Sequence, residues 1–428
     1  MGTKVGEVTA DSAIVWCRLT QSPRPSGETD VQGPAVLGHE GAVRVEYYPV
    51  GDPLATRTTP WARVAADGDY VHQFRLTGLA PATLYRVVVD SRGPDGVRGE
   101  AVTASFRTAP PPTEPARVVF TVVTGQQFQH QDSPDGFRAY GSMRALGPSF
   151  FVHTGDIVYY DKPGPMATSV DLARHHWHRT YSLPSLVRFH RRIPSYFIKD
   201  DHDTYADDCW PGMTREDMGE MSFEAGLEIF REQVPMGDST YRTVRWGKDL
   251  QVWLVEGRDF RSPNPAPDGP DKTIWGGAQL HWLKKTMAQS DATFKVLISP
   301  TPIVGPDRES KRDNHSNPNF SHEGDHIRHW LRANVPEAVV VCGDRHWQYA
   351  SVHPETGLRE FSCGPISDVH AGGFGGFVEG WHRYFNLTGG FLSVTVERVA
   401  GRPVMTFRHH DVMGRPLNTA VVQGDLGS

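Results

Sequence analysis

The sequence predicts an all-β sandwich followed by a larger α/β domain, in which layered β-sheets are flanked by helices. Segments that alternate apolar and polar residues, the period of half-buried strands, fill positions 1–112. A proline-rich stretch at 110–115 is typical of a stiff linker. After it, short apolar runs alternate with stretches of helical period, which is the pattern of α/β layers. We therefore place two domains, at 1–112 and 113–428.

The first domain is predicted to hold short strands around a tyrosine corner. The segment from Leu76 to Tyr85 resembles the corner of fibronectin type III or immunoglobulin-like sandwiches, where a tyrosine ties down the strand after a Leu-x-Pro turn. The predicted strands are 12–16, 42–47, 70–76 and 83–90.

The second domain is predicted to contain buried strands, amphipathic helices and a closing pair of strands. In one helix Leu280, Leu283 and Met287 recur at helical spacing. The predicted strands are 117–123, 149–153, 195–199, 250–255, 294–299 and 338–342. The predicted helices are 221–233, 277–289 and 321–333, and the closing strands are 390–397 and 403–409.

The amino-acid composition argues against some classes of function and favours a metal site. Lys and Arg number 44 and Asp and Glu 50, so the formal net charge is −6, which argues against a broad nucleic-acid-binding surface. The 20 histidines favour a metal site. No apolar run approaches the ~18 residues of a membrane span. The first residues lack the apolar core of an export signal, so a cytoplasmic protein and an exported one whose signal was removed both stay open.

Metal-type ligands follow three of the predicted central strands. Asp156 lies in Thr154-Gly-Asp-Ile-Val-Tyr-Tyr160, and two further groups are Asp200-Asp-His-Asp203 and Gly343-Asp-Arg-His346. Ligands collect at the carboxyl ends of strands in open α/β sheets, so we expect these groups to converge. Carboxylates with histidine suit Zn, Mn or Fe, whereas carboxylates alone suit Ca or Mg. Each group taken singly is more typical of a turn or a surface loop, and only the ordered set indicates function.

Roles follow from the chemistry of each side chain. Asp156 can bridge two metals through its two carboxylate oxygens, and Tyr159 would bind as phenolate only to a strong Lewis acid such as ferric iron. Asp201 is a second candidate bridge, and His202 beside it is the candidate proton donor to a leaving group. Two metals about 3.5–4 Å apart would ionise a water and hold an ester's oxygens for in-line displacement. Asp344 and His346 add one hard and one borderline ligand.

These motifs together resemble the metallophosphatase superfamily and, within it, the alkaline phosphatase D (PhoD-like) family. The resemblance covers nearly the whole chain and implies a metallophosphatase fold with two or more metal ions, iron and calcium in the best-known form. The blocks that carry it are Val5–Leu19, His153–Asp161, Ile193–Asp203, Glu256–Arg261, Trp275–Leu283 and Gly343–His346.

The resemblance also assigns residues. It makes Asp156, Tyr159, Asp201, Asp344 and His346 metal ligands, and it places His202 at the catalytic histidine of the superfamily. The loop Lys311-Arg-Asp-Asn-His315 would bring Asp313, Asn314 and His315 to the pocket as ligands or substrate contacts.

One position departs from the family pattern. The family ends its first strand in Ser-Cys-Gln, with the cysteine binding iron, whereas this chain has Gly125 there. The ferric assignment is weakened and the metals could be Fe, Ca, Zn or Mn. Gln126 could contribute an amide oxygen to the pocket.

The leading hypothesis is metal-dependent hydrolysis of phosphate monoesters or diesters by a metal-bound hydroxide. Arg258 is a candidate to bind phosphate oxygens, as are Arg138, Arg261 and Arg345. Aromatic loop residues favour a small organic or sugar ester as substrate: Trp177, Tyr181, Trp210, Trp275, Trp347 and Trp381. One alternative is a sulfate ester hydrolase on the same scaffold, and another is an inactive binding protein. The resemblance implies export from a bacterial cell.

Overall fold

The computed structural model describes residues 2–22, 25 and 36–424. Eight strands lie in its N-terminal part: β1 (Thr3–Gly6), β2 (Ser12–Arg18), β3 (Gly41–Pro49), β4 (Arg57–Thr58), β5 (Ala62–Val64), β6 (Val71–Thr77), β7 (Leu84–Arg92) and β8 (Val102–Arg107). Strand β3 shows the expected alternation, since Val43, Val45 and Tyr47 are buried between less buried neighbours. The hydroxyl of Tyr85 accepts a hydrogen bond from the backbone N–H of Ala80 at 2.8 Å, as the predicted corner requires.

The rest of the described chain adds thirteen strands and six helices. The strands are β9 (Val118–Val123), β10 (Phe150–His153), β11 (Ser195–Phe197), β12 (Arg242–Trp246), β13 (Leu250–Leu254), β14 (Phe294–Ser299), β15 (Val339–Cys342), β16 (Gln348–Val352), β17 (Arg359–Cys363), β18 (His382–Asn386), β19 (Phe391–Val399), β20 (Arg402–His410) and β21 (Pro416–Gln423). The helices are α1 (Arg138–Ala145), α2 (Val170–Tyr181), α3 (Pro184–His190), α4 (Phe223–Gln233), α5 (Gly276–Gln289) and α6 (Ser321–Asn334).

Two large mixed sheets face each other across one apolar core. The first has nine strands in the order β21-β20-β19-β9-β10-β11-β1-β2-β6, and the second has seven in the order β12-β13-β14-β15-β17-β16-β18. Inward side chains such as Phe120, Phe150, Val252 and Val296 fill the space between them. Helices α1 to α4 cover the outer face of the first sheet, and α5 and α6 cover the outer face of the second. This layering confirms the predicted α/β arrangement.

The N-terminal strands join the first large sheet directly. Strands β1, β2 and β6 extend it, because β1 pairs in parallel with β11 through Gly6 and Ser195. A Cβ on Gly6 would lie 2.4 Å from the carbonyl oxygen of Ser195, so this close approach needs glycine. The remaining strands form a separate sheet, β4-β3-β7-β8 with β5 beside β3. One sheet therefore crosses the predicted boundary at residue 112, and the division into domains stays a prediction.

Most predicted elements of the second part are present, with shifts of a few residues at their ends. Two helices begin at serine caps: the side chain of Ser169 accepts from the N–H of Leu172, and that of Ser222 accepts from the N–H of Ala225. No helix in the described part of the chain combines the length and the apolar character needed to cross a membrane.

Candidate metal centre

Three central strands end at one edge of the layered sheets in the same unusual backbone shape. Gly125 follows β9 with φ of 56°, Asp156 follows β10 with φ of 55°, and Asp344 follows β15 with φ of 61°. A left-handed backbone costs a non-glycine residue on the order of 1–3 kcal/mol and persists where the surroundings impose it, commonly at functional sites. The turns at Asp156 and Asp344 therefore position these side chains at some cost in stability.

The hydroxyl of Tyr159 is the meeting point of the cluster. It lies 3.0 Å from Oδ2 of Asp156, 3.4 Å from Nε2 of His346 and 3.2 Å from Nε2 of His370. Nε2 of His346 is in turn 3.5 Å from Oδ2 of Asp156. Oxygen and imidazole donors from three separate segments thus face one small volume, as the strand-end motifs predicted for the first three of these residues.

Asp156 is buried and lies close to another carboxylate. It is 1% exposed, and its Oδ1 has no hydrogen-bond partner among the described residues. Burial raises its pKa well above the usual range, and the nearby Asp201 carboxylate raises it further. Ligand atoms of Asp156, Asp201 and His202 all lie within 4.8 Å of one another. A bound cation would relieve this crowding, because it would partner the free oxygen and offset the carboxylate charges.

Asp201 is held in place by the loop that follows β11. Its Oδ2 accepts from the N–H of Asp208 at 2.7 Å, and Nη2 of Arg258 lies 3.9 Å away. Burial raises the pKa of Asp201, but His202, Arg258 and Lys311 together hold it well below the usual range. Asp201 is therefore an ionised carboxylate beside Asp156.

His202 is oriented by a carboxylate outside the proposed ligand set. Its Nδ1 lies 2.6 Å from Oδ1 of Asp161, and its ring packs on Tyr159 with centroids 4.4 Å apart. Burial lowers its pKa, but Asp201, Asp156 and Asp161 outweigh burial and raise the pKa to about 10. The three carboxylates thus favour the protonated imidazole, and Nε2 is the ring nitrogen turned away from Asp161.

Asp344 has different partners from the rest of the predicted ligands. Its carboxylate pairs with the Arg345 guanidinium, and its N–H donates to Oγ1 of Thr124 at 3.2 Å. Within the described residues, no hydrogen bond or ion pair joins its carboxylate to Asp156, Tyr159 or His346. A ligand role for Asp344 stays a prediction.

Two predicted substrate contacts are occupied by protein groups. The amide oxygen of Gln126 accepts from Tyr140, and its nitrogen donates to the carbonyl of Ile157 at 3.4 Å. The Arg258 guanidinium is fully buried, with Nε 2.6 Å from Oδ1 of Asp200. Both placements argue against direct contact with substrate, and Arg258 instead orients the aspartates of the Asp200–Asp203 segment.

The predicted pocket loop at 311–315 also turns its side chains to the protein. Asp313 lies 3.3 Å from Nη2 of Arg345, and Asn314 donates to Asp307 at 2.8 Å. His315 is buried, with Nε2 2.9 Å from Oε2 of Glu323. None of these contacts reaches the Tyr159 cluster, and the substrate roles of this loop stay predictions.

The aromatic residues that favoured an organic leaving group are mainly core residues. Trp177, Tyr181, Trp275 and Trp347 are each at most 2% exposed, so they cannot line an open binding surface. The expectation of a sugar ester loses most of this support, because only Trp210 and Trp381 of the six are partly exposed.

Sequence reasoning missed two members of the centre. Asp161 lay inside the quoted motif but had no assigned role, and His370 follows β17 in a short 3₁₀ turn, Asp368–His370, that no motif marks. Neither residue lies at a strand end, which was the criterion of the search.

The donor set fits transition-metal ions. Asp156, Asp201, Tyr159 and His346 offer carboxylate, phenolate and imidazole groups, which together suit iron, zinc or manganese. The free and buried Oδ1 of Asp156 is the observation that favours an ion, because a buried carboxylate oxygen without a partner is costly. The identity of the metals stays a prediction.

Comparison with known proteins gives the context of this centre. Alkaline phosphatase D of Bacillus subtilis (strain 168) is 21% identical over 402 residues, which are 82% of this chain and 65% of that protein's length. A solved structure of PhoD aligns with a TM-score of 0.77 over 99% of this chain and 88% of that one, at 18% identity. A purple acid phosphatase from yellow lupin (Lupinus luteus) seeds aligns with a TM-score of 0.68 over 99% and 74%, at 12% identity.

The two structural likenesses establish a metallophosphatase-type fold. The fibronectin-like assignment of the first domain stays a prediction. A sequence model described as PhoD-like phosphatase matches residues 120–380, which is more than half of the chain. The protein therefore belongs to the PhoD-like phosphatase family.

Proposed function

We propose that the protein hydrolyses phosphate esters with the help of at least two bound cations. The observation that carries the proposal is the convergence of Asp156, Tyr159, His202 and His346 at neighbouring strand ends. Membership of a phosphatase family supports the same class of reaction. The alkaline phosphatase and purple acid phosphatase names of its relatives agree with it.

Asp156 and Asp201 are the residues that would hold the cations, together with Tyr159 and His346 beside Asp156. Bound there, the cations would supply an acidified water and positive charge opposite the phosphate oxygens. Asp208 fixes Asp201 through its backbone N–H, and Arg258 keeps the neighbouring Asp200 in place. The chain thereby presents carboxylates in fixed positions, which lowers the reorganisation needed when substrate binds.

His202 would donate the proton that the leaving alcohol needs. Its ring is clamped by Asp161 at Nδ1, so Nε2 is the nitrogen available to substrate. The half-exposed carboxylate of Asp207 lies 3.6 Å from Nε2. A positioned imidazolium of this kind contributes roughly 10²–10⁴-fold to the rate.

A panel of aryl phosphate monoester, aryl phosphate diester and aryl sulfate tests the reaction class. We expect the phosphate compounds to be hydrolysed faster, since phosphate carries more charge for the cations to offset. Turnover of the sulfate alone would refute the proposal in favour of a sulfate ester hydrolase. Metal content is measured on the same sample, and fewer than one tightly held ion per chain with no turnover of any ester would indicate an inactive binding protein.

A further inference from the structure

The loop after β17 brings a second imidazole to the centre. His370 lies at the end of the turn Asp368–His370, and its ring packs against that of His346 with centroids 4.0 Å apart. Its Nε2 is 3.2 Å from the hydroxyl of Tyr159, which is slightly closer than Nε2 of His346 at 3.4 Å. By distance, His370 belongs to the cluster as much as the histidine that the strand-end motif identified.

The orientation of His370 is set by the backbone of Gly125. Nδ1 of His370 lies 3.1 Å from the carbonyl oxygen of Gly125, an atom that can only accept a hydrogen bond. The ring proton therefore resides on Nδ1, and Nε2 carries a lone pair that points at Tyr159. Histidines that bind metals commonly use this arrangement, in which the second nitrogen donates to a backbone carbonyl and fixes the tautomer.

Gly125 also leaves space beside the imidazole of His346. A Cβ at this position would lie 3.3 Å from Cδ2 and 3.4 Å from Nε2 of His346, and 3.2 Å from Cβ of Pro365. A side chain extending beyond Cβ would crowd these atoms. The strand end therefore contributes a carbonyl oxygen, and a distant loop contributes the side chain.

The hydroxyl of Tyr159 cannot donate a hydrogen bond to every acceptor that surrounds it. Tyr159 has one hydroxyl proton, and Oδ2 of Asp156 at 3.0 Å is its nearest acceptor. The lone pair of His370 then faces an oxygen whose proton is already engaged. Oδ1 of Asp156, in the buried carboxylate, also has no partner among the described residues. Nε2 of His370 and Oδ1 of Asp156 are therefore two donor atoms that a cation would partner.

We propose that His370 is a metal ligand of this centre and completes, through Nε2, a set formed with Asp156, Tyr159 and His346. The set then consists of two imidazoles, one phenolate and one carboxylate. His370 supplies the ligand that a side chain at position 125 would otherwise supply. Two neutral imidazoles favour zinc, cobalt or iron over calcium or magnesium. This assignment deepens the proposed function and rests on its requirement for cations.

The test compares metal binding by the full-length wild type and two variants. His370→Asn removes Nε2 but retains a donor near Nδ1 for the Gly125 carbonyl, so the loop keeps its anchor. His130→Ala is the matched control, because its ring touches that of His370 with centroids 4.7 Å apart but has no described bond to Tyr159. Each metal-free protein is titrated with Zn²⁺, and Co²⁺ gives an absorption spectrum of the ligand field.

We expect His370→Asn to weaken Zn²⁺ binding at one site by at least about 10-fold and to change the Co²⁺ spectrum, while His130→Ala matches the wild type. Equal thermal melting of the metal-free proteins would show that the loop variant is folded, and His370→Gln is measured in its place if it is not. If both the affinity and the spectrum of the variant equal those of the wild type, His370 is not a ligand, although the proposed function stands. If the wild type itself binds no Zn²⁺ or Co²⁺, both proposals fail.

Discussion

Replacing Asp161 by Asn tests what the charge of Asp161 contributes to the pKa and the activity of His202. Oδ1 of Asp161 lies 2.6 Å from Nδ1 of His202, and this carboxylate is one of three that raise the histidine's pKa to about 10. Asn keeps an oxygen that accepts from Nδ1 but removes the charge. An adjacent opposite charge shifts a pKa by roughly 1–3 units, so the pKa of His202 should fall by about that much.

The direction of the effect follows from the role of His202 as an acid. A proton donor loses activity as pH rises through its pKa, so the basic limb of the kcat profile should move about 1–3 units to lower pH. The assay is the pH dependence of aryl phosphate hydrolysis with metals at saturation. Asp207→Asn is the control: its carboxylate lies 3.6 Å from Nε2 but is half exposed, so its limb should move by less than about 0.7 unit.

A further comparison removes the acid itself. His202→Ala should lower turnover by roughly 10²–10⁴-fold with metal content unchanged, and adding Asp161→Asn should then cost little more, because the two residues act as a unit. An unmoved basic limb in Asp161→Asn, or an emptied metal site in His202→Ala, would refute the assignment of His202 as proton donor.

Three other substitutions test separate parts of the molecule. Asp156→Asn should remove bound metal and hydrolysis together, as measured by elemental analysis and assay of one sample. Lys199→Met should destabilise folding by about 3–5 kcal/mol in urea unfolding, because Glu256, 2.6 Å from the buried ammonium, would lose its counter-charge. His409→Gln should flatten the acid limb of stability: burial lowers the pKa of His409 to about 3. Between about pH 6.5 and 3 the histidine therefore binds a proton in the unfolded chain but not in the folded one. As the pH is lowered through this range, the wild type loses about 1.4 kcal/mol of stability per pH unit through this one group.

Each of these has a distinct contradicting result. Full metal content in Asp156→Asn would exclude that residue as the shared ligand. An unchanged urea midpoint for Lys199→Met would show that the Glu256 carboxyl group does not need this counter-charge. An acid limb of equal slope in His409→Gln would show that the imidazole titrates normally in the folded protein.

The fold was predictable from the sequence where burial leaves a local pattern. Strands such as β9 and β15 are buried on both faces, so their sequences are continuously apolar and easily recognised. Helix α3 was missed because its seven residues are fewer than the window in which a helical period can be recognised. The parallel pairing of Gly6 with Ser195 left no local pattern, since it depends on residues far apart in the chain.

The site residues, too, were predictable only where they leave a local pattern in the sequence. Asp156, Tyr159 and His346 follow apolar strands, and a strand end is visible in sequence. Asp161 and His370 act through tertiary contacts from loops, and sequence spacing does not reveal which loop returns to the centre. Arg258 shows the converse: its charge suggested a phosphate contact, but the structure buries it against Asp200.

Anomalous diffraction from crystals of the zinc-loaded protein tests the central claim most directly. We predict two peaks that share the carboxylate of Asp156, one of them with Nε2 of His346 within about 2.0–2.1 Å. Zinc found only on surface histidines, with Asp156, Asp201 and His346 bound to no ion, would contradict a metal-dependent hydrolase at this centre.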